Sequence, residues 1–123
     1  MYVDLDFILA LIKDDDWLSD KAEEIYKEYK DELWTSDFTL LELMLVAYRD
    51  NKNINKVLAN AEALIEIKGH PDHILAAGNY VQNHGLTPFD AVHLVKSNDD
   101  IIISSDKSYD EFSKRIKLED GLK

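Results

Sequence analysis

The chain has 123 residues, room for one domain and one core, and 46% of them are hydrophobic with only 4 Gly and 2 Pro, a globular rather than a disordered composition. The absence of cysteine excludes disulfides, thiolate zinc sites and thiol nucleophiles together, and fits a reducing, cytoplasmic setting. With 25 acids against 14 Lys plus Arg the formal net charge is −11, the wrong sign for a general nucleic-acid binder: either the protein avoids polyanions, or some of its acids form a metal site that turns the local potential positive.

No apolar run reaches the ~18 residues that a membrane span needs, and the N-terminus lacks a basic region followed by a cleavable apolar stretch. "MYVD" reads as a short strand ending in Asp4, and "LDFILALIK" as an apolar helix relieved by Asp6, broken by "DDDW". From Ser19 onward Ala22, Ile25, Tyr26, Tyr29 and Leu33 recur at helical spacing, and "LWTS" is a second short strand. Residues 38–48 form a helix capped by Ser36 or Asp37, and "NINKVLANAEALIEIKG" is another that stops at Gly69. "PDHILAAGNYVQNHG" opens at Pro71 and closes at Gly85, and "LTPFDAVHLVKS" has Thr87 at its cap and Pro88 at its first position. "DIIISSD" has the look of a buried strand, and "RIKL" of one more. With no repeat and no linker, residues 1–123 are read as a single domain. Short strands alternating with longer helices predict a three-layer α/β fold, a short-stranded parallel sheet flanked by helices, with ligands outside the carboxyl ends of the strands.

Four acids fall where that architecture places chemistry. Asp4 ends the first strand, Asp106 follows "IIISS" at the end of another, and Asp90 opens a helix. Glu42 is the only charge within residues 38–48, and an ionised carboxylate among Leu40, Leu41, Leu43, Met44 and Leu45 requires a cation or costs several kcal/mol. Each has a plainer reading: Asp4 as a turn residue, Asp106 as a cap, Asp90 as the acid of a capping box with Thr87, and Glu42 on a solvated stripe. Taken jointly, such hard oxygen donors suit Mg²⁺ or Mn²⁺, and the chemistry that follows is phosphoester hydrolysis by a water that the metal acidifies.

"VDLDFILAL", "SDFTLLEL", "LTPFDAVHL" and "IISSDKSYDEF" resemble, in that order and at those separations, the motifs of PIN-domain proteins and among them the VapC-type toxins. The resemblance spans nearly the whole chain and implies a Mg²⁺- or Mn²⁺-dependent ribonuclease with a PIN-like fold. It makes Asp4, Glu42, Asp90 and Asp106 the catalytic and metal-binding quartet, with Asp110 a more distant fifth acid. Leu5 stands where the family often has Thr and Asp6 where it often has Asn, so the surroundings of Asp4 depart from the pattern. Ser104 keeps the hydroxyl expected near Asp106. The resemblance also implies an RNA substrate, a small antitoxin partner and a homodimer, the last in keeping with the greasy helix of residues 38–48.

Lys96, Lys107, Lys114, Arg115 and Lys117 make the C-terminal third the least acidic part; Lys107 and Lys114 are the candidates for steering RNA. His93 is read as packing against the sheet or bonding a backbone carbonyl, and "HPDH" lacks the i, i+4 pair of a helical zinc site, so no zinc site is expected there. Two further functions compete: a haloacid-dehalogenase-like phosphatase built on "DLD", and a PIN-like module that binds without cleaving.

Overall fold

The apolar run after Asp4 winds into α1 (Leu5–Ile12), which buries Ile8 and Ala10, in a computed structural model that describes residues 1–13 and 15–121. Asp14, inside the expected "DDDW" break, and Leu122 and Lys123, at the end of the expected domain, lie outside the described residues. There follow α2 (Ser19–Tyr29), β1 (Trp34–Ser36), α3 (Asp37–Arg49), α4 (Ile54–Leu64), β2 (Glu66–Lys68), α5 (Pro71–His84), α6 (Pro88–Lys96), β3 (Ile102–Ser104) and β4 (Arg115–Lys117). A 3-10 turn, Lys107–Tyr109, lies between the last two strands.

The architecture is α/β with short parallel strands. β1 pairs with β2, Trp34 opposite Glu66, and β3 pairs with β4, Ile102 opposite Arg115. The first residues run beside β1: Val3 N–H donates to the Trp34 carbonyl at 2.9 Å, and Trp34 N–H to that of Met1 at 3.0 Å. Among the described residues the expected single sheet is instead two two-stranded pairs.

Two expectations about elements are corrected. The helix expected to run to Gly69 ends at Leu64, and Ile65 is already extended at φ −133°, ψ 136°. The period-two alternation of "IEIK" matches a half-buried strand pairing with β1, and that pairing wins over helical continuation. The isoleucine run is not a buried strand either. Ile102 is half-buried, while Ile101 and Ile103 are 53% and 66% exposed, because only one face of this small sheet meets the core.

α3 explains its own composition. It packs against α1, α4, α5, α6 and β1, so much of its nearly unbroken apolar sequence is buried within the chain, while Leu41, Leu45 and Val46 are half-buried and Phe38 and Tyr48 exposed. Leu40, Leu43 and Met44 are fully buried there with Leu58 of α4; truncating such a leucine to alanine costs about 2–5 kcal/mol. Gly78 lets α5 close onto α4, since a Cβ there would lie 2.8 Å from Leu58 Cδ1. Among the described residues no helix is long and apolar enough to cross a membrane.

Candidate active site

Asp4 stands at the N-cap of α1, where Val3 leaves its pairing with β1, and its side chain makes no capping bond. The carboxyl faces Asp6 instead. Hydrogen bonding between the two requires a shared proton, and that contact, then the charge of Asp4, holds Asp6 above the usual carboxylate range. The Tyr2 hydroxyl lies 3.0 Å from Ser36 Oγ and 3.1 Å from Thr39 Oγ1, and these hydrogen bonds, that of Ser36 first, lower its pKa. Thr39 and Glu42 lie one turn apart on the same face of α3, and the charge of Glu42 is felt at Tyr2 in the opposing sense. Glu42 therefore faces the chain's first residues. It is half-buried and has no hydrogen bond or ion pair with another described residue, so the cation that its apolar surroundings call for is not supplied by the described chain.

Asp90 occupies the third position of α6, which begins at Thr87 and Pro88 as expected. The capping box is not formed. The Thr87 hydroxyl makes no capping bond, and the Asp90 carboxylate accepts from the Tyr109 hydroxyl at 3.3 Å rather than from the helix start. Tyr109 is buried; burial first, then the charge of Asp90, pushes its phenol up to about 12.

Asp106 lies within side-chain hydrogen-bonding reach of Asp90. Here the plainer reading also holds: Asp106 Oδ1 accepts from Ser108 N–H at 2.9 Å and caps the 3-10 turn. That N–H is the main reason its pKa is lowered, followed by the Ser108 hydroxyl, with Asp90 and then Arg115 adding less. Ser104 Oγ accepts from Asp106 N–H at 3.0 Å, so the hydroxyl singled out in the sequence aims the backbone that carries this acid.

Asp110 is committed elsewhere. Arg115 grips it with Nε at 2.6 Å and Nη2 at 3.1 Å, and donates through Nη1 to the Ser104 carbonyl at 2.8 Å and to Glu119 at 3.2 Å. The bidentate guanidinium lowers the Asp110 pKa. Arg115, grouped in the sequence with the lysines of the C-terminal third, has a side chain only 1% exposed and serves as a latch between β4, β3 and the turn after Asp106. Lys107 and Lys114 are exposed. His93 is exposed as well, rather than packed on the sheet.

The acids thus gather as Asp4 with Asp6, Asp90 with Asp106, and Glu42 on the helix between. α3 packs on both α1, which Asp4 opens, and α6, which carries Asp90. Among the described residues no three of these carboxylates come within 4.8 Å of one another; the one group that does is His70, Asp72 and His73, which the i, i+4 rule passed over. A groove of about 760 Å³, lined by Leu9, Ile12, Val46 and Val57 among others, lies towards the far ends of α1 and α3 from Asp4 and Glu42 and touches none of the quartet. Sequence reasoning missed Tyr109; a hydroxylated aromatic three residues after Asp106 was the available signal.

Asp4 and Asp6 are exposed, Asp90 and Asp106 half-buried, and none forms an ion pair with a described residue; as hard oxygen donors they are of the kind that divalent metal ions take. No curated protein and no solved structure matches the chain. The family model for the PIN domain matches residues 1–115, from the strand-like start before Asp4 to the Arg115 latch, and the chain belongs to the PIN domain family.

Proposed function

We propose that the protein is a Mg²⁺- or Mn²⁺-dependent endoribonuclease and the toxin of a toxin–antitoxin pair. PIN domains are typically nucleases, which makes a hydrolase acting on nucleic acid the parent reading. The observation that carries the finer one is the Asp90–Asp106 contact: two carboxylates side by side at a helix start and a strand end, neither ion-paired with a described cation. Two carboxyls this close share a proton or, when both ionise, repel, and a divalent cation takes the place of that proton.

In this reading Asp4, Glu42, Asp90 and Asp106 hold the ion. When bound, it supplies Lewis acidity towards the phosphate and acidifies the attacking water. The chain's own residues do the positioning. Tyr109 fixes one oxygen of Asp90, while Ser104 and the Ser108 N–H fix Asp106. Phe89, 56% exposed and next to Asp90, offers a stacking face to a base, and Lys107 and Lys114 offset part of the −11 charge along the substrate's path. Lys107→Glu with Lys114→Glu should weaken RNA binding and leave the fold intact; unchanged affinity removes this strip from the reading.

Most of the apolar surface of α3 is packed within the chain, so a homodimer rests on family resemblance and on Phe38 and Tyr48, 63% and 48% exposed. A small antitoxin covering the acids would present a basic residue to them. The PIN assignment displaces the phosphatase reading of "DLD". The binding-only reading draws support from the Asp4–Asp6 contact, in which one acid is occupied with the other. Cleavage of single-stranded RNA in Mg²⁺, Mn²⁺ and EDTA separates the two. Metal-dependent cleavage lost in Asp90→Asn supports the nuclease; RNA binding without cleavage supports the binding module.

A further inference from the structure

The loop from β2 into α5 brings together donors of a different kind. One ligand atom from each of His70, Asp72 and His73 lies within 4.8 Å of the other two. None belongs to the quartet. His73 Nδ1 lies 3.4 Å from Lys96 Nζ, in the last turn of α6, whereas Asp90 is in its first; about 9 Å of helix rise separates them.

The backbone that carries these donors is pinned. His70 N–H donates to Asp37 Oδ2 at 3.0 Å, tying the loop to the first turn of α3. Gly69, at φ +105°, has no side chain to strike that carboxylate, where a Cβ would lie 2.8 Å from Asp37 Cγ. Pro71 then sets the first turn of α5 and so the spacing of Asp72 and His73. The His70 and His73 rings already stack, with centroids 5.0 Å apart. His70 and Asp72 are exposed and His73 is half-buried, so convergence on one ion needs side-chain rotation and no change of fold.

Two imidazoles and one carboxylate make a three-ligand set with a fourth position open to water. Imidazole favours Zn²⁺, Co²⁺ and Ni²⁺, whereas Mg²⁺ prefers oxygen alone. We infer that His70, Asp72 and His73 bind one transition-metal ion of the Zn²⁺ class, which clamps the β2–α5 loop and is distinct from the acid quartet. The site stands independently of the nuclease reading. Asp72 supplies negative charge; the start of α5 and the Lys96 ammonium oppose the cation, so Lys96 is a brake on affinity.

The test is Zn²⁺ titration of tag-free protein, followed by calorimetry and by the histidine ring signals in NMR. An Asp90→Asn, Asp106→Asn background, checked for folding by circular dichroism, removes the acid pair as a competing Zn²⁺ site. The parent should bind Zn²⁺ with shifts at His70 and His73. His70→Ala or His73→Ala should weaken binding at least tenfold, Asp72→Asn several-fold, and Lys96→Gln should tighten it several-fold. Excess Mg²⁺ should not displace the ion. Either histidine variant binding as tightly as the parent, shifts confined to His84 and His93, or looser binding in Lys96→Gln would each overturn the assignment.

Discussion

Asp4–Asp6 and Asp90–Asp106 present the same electrostatic problem and resolve it in opposite directions. Asp6 has little besides Asp4 and its own helix start to lean on, and its pKa rises; Asp106 has the Ser108 N–H, the Ser108 hydroxyl, the hydrogen bond with Asp90 and the field of Arg115, and its pKa falls. The difference comes from what the backbone does next. α1 begins after Asp4 without using its side chain as a cap, whereas the 3-10 turn after Asp106 directs an N–H at its carboxylate. Asp106 is favoured in its ionised form before any cation arrives, and Asp6 is not. A cation therefore meets a prepared carboxylate at Asp106 and competes with a proton at Asp6.

The largest effect that could break this comparison is on cleavage. Asp90→Asn and Asp106→Asn should each lower RNA cleavage by about a hundredfold or more, since each removes a charge where phosphate charge is neutralised. Asp6→Asn, which restores the residue often found in the family, should retain activity or raise it. If Asp6→Asn loses as much as Asp106→Asn, the two pairs are equivalent and the asymmetry has no functional meaning.

A smaller effect is on metal-dependent stability. Mg²⁺ or Mn²⁺ at one hundred times its dissociation constant should stabilise the folded state by about 2.7 kcal/mol, roughly 10 °C in melting temperature for a domain of this size. Asp106→Asn should lose most of that rise, while in EDTA it should melt close to the parent. Asp6→Asn should keep the rise. Paired melts in EDTA and in metal decide it, and a parent that shows no metal-dependent shift leaves the quartet without a shared ion.

What was legible in the sequence follows from where each signal lay. The start of α6 was written locally, in Thr87, Pro88 and the apolar stripe behind them, and it formed as read. The purpose of Asp90 was not local: its hydrogen-bond donor, Tyr109, lies beyond α6 and β3, and nothing at the helix start distinguishes a capping acid from one held by a distant phenol. β2 was hidden because "IEIK" continues the hydrophobic pattern of α4 until a partner strand selects the alternation. Arg115 was misread for the reverse reason. A cation in a basic stretch looks solvated until Asp110, Glu119 and the Ser104 carbonyl close around it. His70, Asp72 and His73 escaped a rule written for one helix face because His70 precedes the helix.

Tyr109→Phe sharpens the comparison further, because it removes a single hydroxyl from the Asp90–Asp106 pair. One hydrogen bond to a carboxylate at 3.3 Å is a long one, so the stability loss should be about 1 kcal/mol. Metal affinity is the more telling measurement. With Asp90 no longer aimed, Mg²⁺ or Mn²⁺ should bind about tenfold more weakly, a loss that packing alone does not produce. Unchanged metal affinity in a folded Tyr109→Phe variant makes the phenol a core residue only.

The smallest effect concerns what braces the Asp90–Asp106 pair, and it can be read by pH. Arg115 lowers the Asp110 pKa below its ordinary 3.8, so between the two values the unfolded chain binds more protons than the folded one. The stability this contact contributes is therefore fully present above the ordinary value and is lost as pH falls through the folded one. Asp110→Asn should leave a shallower fall in melting temperature between about pH 5 and pH 2, measured in EDTA, and should be slightly less stable than the parent at neutral pH. Salt should narrow the neutral-pH difference, because Asp110 is half exposed and its charge is screened. If the acid limbs of parent and variant coincide, Asp110 does not hold Arg115 in the folded state, and the support of Asp106 rests on Ser104 and the Ser108 N–H alone.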